Sequence, residues 1–314
     1  MWFRLSSYAA LRESFTTLWS TMLGLITLGH RRQDEIFSLF TIFTGDVSML
    51  EADIVLGTVG ADKTIIPIMA HPPAQTSDLS LAEFLTSVSG YNADNPAKQK
   101  GVKLDFKSIE AVEKSQDLLD FNRPNVVTFP LWLNADILQG PVNSETKPVD
   151  PVKFLRLGAH HPRSVLSIGW TTNFGGNITE GEYSRDQIGT MLRVINEQHV
   201  NQTVTFPVRA GLASYSQPVL LDLLRETASL NSTLTVWSSE GDPVEVGRLK
   251  ALILTVGLER TYLDVPDELE NRLHLPPPQN HIYTDIQYVK LIRPLFFRLP
   301  NLGSWLRRTP GLHA

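Results

Sequence analysis

Short apolar runs alternating with helical patterns constrain this chain more than any other feature. Residues 49–55, 101–107, 129–138, 165–172, 204–209, 234–237 and 261–265 read as strands. Between them, 108–119, 151–157, 184–197, 217–226 and 243–254 have helical periodicity or turn-bounded helical composition. Strands that alternate with helices of this length make βα units and a parallel sheet. Roughly seven such strands follow from Glu51 onward, and a closed (β/α)8 barrel of the TIM type is their natural home. The expected fold class is therefore α/β, with a TIM-type barrel whose first strand is degenerate or missing.

Polar residues interrupt these strands late and at i, i+2 spacing: Glu51/Asp53, Asp105/Lys107 and Asn134/Asp136. That spacing puts both members of each pair on one face of the strand. In a βα barrel the carboxyl ends of the strands converge on one mouth, where active sites lie. Two acids side by side on a buried strand repel each other and resist desolvation unless a cation or hydrogen-bond donors sit between them. Glu51 and Asp53 therefore make either a metal site or salt bridges to Lys103 or Lys107. A second apolar run, 66–70, ends on His71, followed by Pro72-Pro73. His71 is a candidate proton-transfer group, because imidazole titrates near neutrality; the competing reading is a strand-end histidine satisfied by backbone.

The chain has 314 residues, 42% hydrophobic and 19% charged, enough to bury a large core. A formal charge of −5 with scattered Lys and Arg leaves no electrostatic footprint for nucleic acid. The absence of cysteine excludes disulfides, thiolate zinc sites and cysteine nucleophiles. No Gly-x-Ser-x-Gly elbow, phosphate loop or dinucleotide fingerprint occurs. His160-His161 reads as a helix end rather than a zinc site. Trp132, Trp170 and Trp237 are core or wall positions by default.

Three segments follow: a divergent amino-terminal stretch over 1–44, the barrel domain over 45–273, and a Pro-rich, peripheral tail over 274–314. Residues 18–28 are apolar but short for a bilayer span. They read either as an amphipathic or buried helix or as a secretory signal without a small-x-small cleavage pattern. No transmembrane helix is assured. Residues 36–43 suit a strand or a continuing helix equally. Sequons at Asn177, Asn201 and Asn231 favour an extracellular or secretory location mildly, against a cytoplasmic alternative.

Leu50-Glu51-Ala52-Asp53, Pro67-Ile68-Met69-Ala70-His71-Pro72-Pro73, Gly101-Val102-Lys103-Leu104-Asp105-Phe106-Lys107 and Trp132-Leu133-Asn134-Ala135-Asp136-Ile137-Leu138 stand in this order. Together with Gly169-Trp170-Thr171-Thr172 and Val204-Thr205-Phe206-Pro207-Val208-Arg209, they resemble the menorin family over about 49–264. That family is related to the PLC-like phosphodiesterases, whose glycerophosphodiester members carry a TIM barrel and a divalent metal. The resemblance implies a metal site at Glu51, Asp53 and Asp105, with Asp105 in place of the usual glutamate, and catalytic roles for His71 and Lys107. Three carboxylates without a thiolate suit Ca2+ or Mg2+.

Trp237 resembles a tryptophan on a late strand of those enzymes. Arg209 is either an anion clamp or a structural ion-pair partner. Asn134 and Asp136 are either further polar lining of a substrate-binding mouth, with Arg209 and Trp237, or simply hydrogen-bond partners within it. The expected ligand is a small phosphodiester or phospholipid-derived molecule; the alternative is an extracellular protein partner. The His-Ala-x-Asn motif that normally opens the first strand is absent, since His30 is followed by Arg31-Arg32-Gln33. Hence two functions are expected: metal-dependent phosphodiester hydrolysis or transfer, or a non-catalytic secreted or membrane-associated binding protein with a role in neuronal patterning or sensory-cell maintenance.

Overall fold

The structure, a computed structural model, describes residues 49–120, 129–276 and the backbone of Leu291–Ile292. The amino-terminal stretch, its apolar run and most of the Pro-rich tail lie outside the described residues. Strands β1 (Met49–Val59), β4 (Gly101–Phe106), β5 (Leu131–Leu138), β6 (Val165–Trp170), β7 (Val204–Arg209), β8 (Thr233–Trp237) and β9 (Thr261–Asp264) lie side by side in chain order, all parallel. Leu291–Ile292, from the tail expected to be peripheral, forms β10 parallel to the start of β1. The ladder runs from β10 through β1 to β9. The result is an α/β fold in which a curled, mostly parallel sheet, a half-barrel, alternates with helices.

Alternation along each strand explains the curl. Ala52, Ile54, Val102, Leu104, Phe106, Leu133, Ala135, Phe206, Val208, Leu234 and Val236 are fully buried on one face of their strands. The opposite face carries the polar residues. At its lower end Met49, Trp132 and Tyr262 pack in one cluster, although they come from β1, β5 and β9. The Trp132 and Tyr262 rings meet edge to face, 4.7 Å between centroids. Strands that far apart in sheet order touch only because the sheet bends round on itself.

Helices α1 (Leu81–Asp94), α2 (Ile109–Leu119), α3 (Pro151–Gly158), α4 (Arg185–Glu197), α5 (Ala210–Ala213), α6 (Gln217–Glu226), α7 (Val246–Val256) and α8 (Asp267–Leu273) fill the connections. Their starts follow capping chemistry. Ser80 and Ser184 build reciprocal capping boxes with Glu83 and Gln187, Ser108 caps α2, and Asp150 caps α3 ahead of Pro151.

The apolar run before His71 folds differently from the barrel strands. It forms β2 (Ile66–Met69), which turns back antiparallel along Ile54–Gly57, while β3 (Thr76–Ser77) pairs with the tip of β1. β1 is therefore much longer than β4, and its far half forms a hairpin with β2.

Candidate functional site

β1 and β4 are in register, with Glu51 beside Lys103 and Asp53 beside Asp105. All four side chains face the concave interior, and the lysines sit between the acids. Lys103 Nζ is 3.0 Å from Glu51 Oε1. Lys107 Nζ is 2.8 Å from Asp53 Oδ1 and 2.5 Å from Asp105 Oδ2. The ion pairs anticipated from Lys103 and Lys107 are thus formed. One oxygen of each β1 acid, Glu51 Oε2 and Asp53 Oδ2, is nevertheless buried with no hydrogen-bond partner.

The network continues across the sheet. Asn134 Nδ2 donates to Asp105 Oδ1 at 2.7 Å, and Ser167 Oγ donates to Asn134 Oδ1 at 2.5 Å. Since an amide oxygen only accepts, the Ser167 hydroxyl fixes which end of Asn134 faces Asp105. A polar chain therefore links β6, β5, β4 and β1 through Ser167, Asn134, Asp105, Lys107 and Asp53.

These neighbours set the charges. Burial raises the Asp53 carboxyl to about 6, against the pull of Lys107. Burial pushes Asp105 the same way, but Lys107, Lys103 and the Asn134 amide outweigh it and hold it below the usual range. Burial disfavours the Lys107 ammonium, yet Asp105 and Asp53 more than offset this and raise its pKa. Lys103 is likewise raised by Glu51 and Asp264 against burial. Asp136 is solvent-exposed by surface area, although protein atoms crowd its carboxyl. Burial, with Asp105 second, lifts it to about 7.

His71 is solvent-exposed, and Ala70 N donates to Asp53 O at 3.1 Å, tying the backbone just before His71 to the middle of β1 at Asp53. Its Nδ1 lies 2.7 Å from the Pro72 carbonyl. A carbonyl only accepts, so Nδ1 is the donor, and in the neutral imidazole Nε2 keeps a free lone pair.

Arg209 forms a two-pronged pair with Asp242, Nε to Oδ2 and Nη2 to Oδ1, both 2.8 Å. Its guanidinium lies 4.9 Å from the centre of the Trp237 ring and 5.6 Å from that of Phe174. Its own main-chain N–H donates to the Tyr183 hydroxyl at 3.0 Å. Gly175, at φ +92, lets its loop approach this pair; a Cβ there would lie 2.9 Å from Asp242 Oδ1. Arg209 and Trp237 thus form one wall of the mouth, and the arginine's charge is already matched.

Sequence reasoning missed Asp242, Tyr183, Phe174, Ser167 and Asp264. Ser167 had a signal, sharing strand parity with Gly169 on the inward face. Asp242 sits in an irregular loop, Ser238-Ser239-Glu240-Gly241-Asp242-Pro243, where no period identifies a partner.

A model of the menorin amino-terminal domain matches residues 30–270. The chain belongs to the menorin family. It is 36% identical over 244 residues to Protein FAM151B of Homo sapiens, covering 77% of this menorin-family chain and 80% of that protein. Glu51, Asp53, His71, Asp105, Lys107, Asn134, Asp136, Arg209 and Trp237 all fall within the span matched to the family.

Proposed function

We propose that the mouth of this menorin-family protein is a phosphodiester-processing site on a barrel of the PLC-like type. Its ligand would be a glycerophosphodiester or lysophospholipid. The observation that carries the reading is the surplus of acid: among the described residues, the cations that meet Glu51, Asp53, Asp105 and Asp136 are Lys103 and Lys107, and two buried carboxylate oxygens lack a hydrogen-bond partner. The packing of Met49 against Tyr262 and the position of β10 beside β1 support the closed barrel.

The oxygen-only donor set fits a hard divalent cation, Ca2+ or Mg2+. Among the described residues no three carboxylate or imidazole groups converge on one point as they stand, so an ion and Lys107 compete for Asp53 and Asp105. Glu51, Asp53 and Asp105 would hold the cation, which when bound polarises a phosphoryl oxygen. Lys107 offers its ammonium to the non-bridging phosphate oxygens. The free Nε2 of His71 takes a proton from the attacking hydroxyl, whether of water or of the substrate. Trp237, with the Arg209 guanidinium over its ring, would wall the organic part of the ligand.

A second reading has its own support. Lys103, Lys107 and Asp242 already match most of the site's charge, as in a pocket that binds without turnover. A secreted or membrane-associated binding protein would be built this way; among the described residues no helix is long and apolar enough to cross a membrane. Purified protein assayed on glycerophosphodiesters and lysophospholipids with Ca2+ or Mg2+ separates the two readings. Turnover that His71→Ala abolishes supports the enzyme; ligand binding without turnover by the wild type supports the binding protein.

A further inference from the structure

Three sequons take no part in the mouth, and the fold treats all three alike. Asn177-Ile178-Thr179 lies between β6 and α4, Asn201-Gln202-Thr203 between α4 and β7, and Asn231-Ser232-Thr233 runs from the loop after α6 into β8. Each asparagine is exposed and none falls inside a strand or an α-helix. Among the described residues, no hydrogen bond engages any of the three carboxamides.

The middle residue of each sequon is the one tied to the fold. Ile178 exchanges main-chain hydrogen bonds of 2.8 and 3.1 Å with Gly175, which sets Asn177 in a tight turn beside Gly176 at φ +61. Gln202 is buried and donates its side-chain amide to the Ser164 carbonyl at 3.0 Å. Ser232 is buried too; its Oγ accepts from Thr227 Oγ1 at 2.8 Å, and its carbonyl accepts from Arg260 Nε and Nη2. With the middle residue anchored, its neighbours are left outside: Thr179 and Thr203 are exposed, and Thr233 is half-buried at the start of β8. An N-linked glycan is a bulky, solvated group that needs a surface loop, with an open asparagine amide and a hydroxyl residue two places on.

We propose that Asn177, Asn201 and Asn231 carry N-linked oligosaccharides added in the secretory pathway. In the transfer, the asparagine amide nitrogen bonds to the anomeric carbon of an oligosaccharide held on a lipid pyrophosphate. The bond from that carbon to the pyrophosphate oxygen breaks, its electron pair leaves with the lipid pyrophosphate, and the amide gives up one proton. Connections that lead into the strands of a βα sheet lie at the end opposite its mouth. Asn201 and Asn231 lead into the neighbouring strands β7 and β8, so two glycans stand side by side on that end. The third stands on the loop whose Gly175 approaches Asp242. All this holds whatever the mouth binds.

The test is peptide mapping of the protein isolated from its source tissue, before and after peptide N-glycosidase, which converts a glycan-bearing asparagine to aspartate. Conversion is expected at positions 177, 201 and 231. Unmodified asparagine at all three would overturn the proposal, and at any one would strike that site. The full chain produced in animal cells behind an added secretory signal then assigns each glycan by gel mobility. Thr179→Ala, Thr203→Ala and Thr233→Ala should each remove one of three mobility steps, whereas the matching Thr→Ser variants keep it. An alanine variant that migrates with wild type would overturn the glycan at its asparagine. Should the half-buried Thr233→Ala fail to fold, Asn231→Gln at an exposed position gives the same readout.

Discussion

Lys103 Nζ and Glu51 Oε1 lie 3.0 Å apart below the mouth, with the lysine side chain 4% and the glutamate 9% exposed. A pair this deeply buried is costly to break and less costly to replace. Glu51→Gln, which removes the nearest carboxylate from the Lys103 ammonium and leaves only Asp264 and Asp105 to act on it, should therefore lose about 3 kcal/mol of stability. The double variant Glu51→Leu/Lys103→Met should recover most of the loss. Urea unfolding of the three proteins checks this; equal midpoints for wild type and Glu51→Gln would show that the pair carries no weight.

Lys107 is the only lysine in contact with both Asp53 and Asp105 among the described residues. Lys107→Met leaves two neighbouring carboxylates to repel each other. Asp53, already raised to about 6, should rise further without that ammonium. A carboxyl raised above its unfolded value contributes stability that is lost as pH climbs through the folded value. The variant should therefore lose more at pH 8, about 3 kcal/mol by analogy with broken buried pairs, than at pH 5. Thermal unfolding at the two pH values reads the difference, and a loss independent of pH would contradict it.

The Asp136 carboxyl, at about 7, has the same sign. Its contribution to stability falls as pH rises from about 4 to about 7, because the ionised form is the disfavoured one in the folded state. Asp136→Asn, neutral throughout, should melt higher than wild type at pH 8, with the gap closing as pH falls toward about 4. A variant less stable than wild type at pH 8 would show that the ionised carboxylate is instead held by favourable partners.

Much of the fold is legible in the sequence, for identifiable reasons. Gly101–Phe106 and Val204–Arg209 stand out because apolar residues alternate with inward polar ones between turn signals. Leu81–Asp94 escapes such a reading because Gly90 and its polar neighbours dilute the apolar stripe; the Ser80-x-x-Glu83 capping box is the signal that marks it. The direction of Ile66–Met69 is not encoded in its own residues, since an apolar run of four pairs equally well either way. At the site, the inward face of Glu51, Asp53, Asp105 and Asn134 follows from strand parity alone. Which lysine meets which acid does not, because that depends on the register between β1 and β4.

The same limit hides the partner of Arg209. Asp242 is more than thirty residues away in a loop, yet it takes both prongs of the guanidinium. Asp242→Ala should cost about 3–5 kcal/mol by leaving a mostly buried arginine unmatched. Arg209→Lys should not be silent, since an ammonium cannot make the two-pronged contact or lie flat on Trp237. Tryptophan fluorescence during urea unfolding measures both effects, and a silent Arg209→Lys would contradict the role given to the planar group.

The central claim is that the acids of the mouth bind a hard divalent cation in competition with Lys107. The most direct measurement is the thermal unfolding midpoint of wild type, Asp53→Asn and Asp105→Asn with and without saturating Ca2+ or Mg2+. An ion at about one hundred times its dissociation constant stabilises the folded state by roughly 2.7 kcal/mol. Wild type should therefore melt several degrees higher with the ion, and the two variants should gain little. Equal gains in all three proteins, or none in any, would contradict the account.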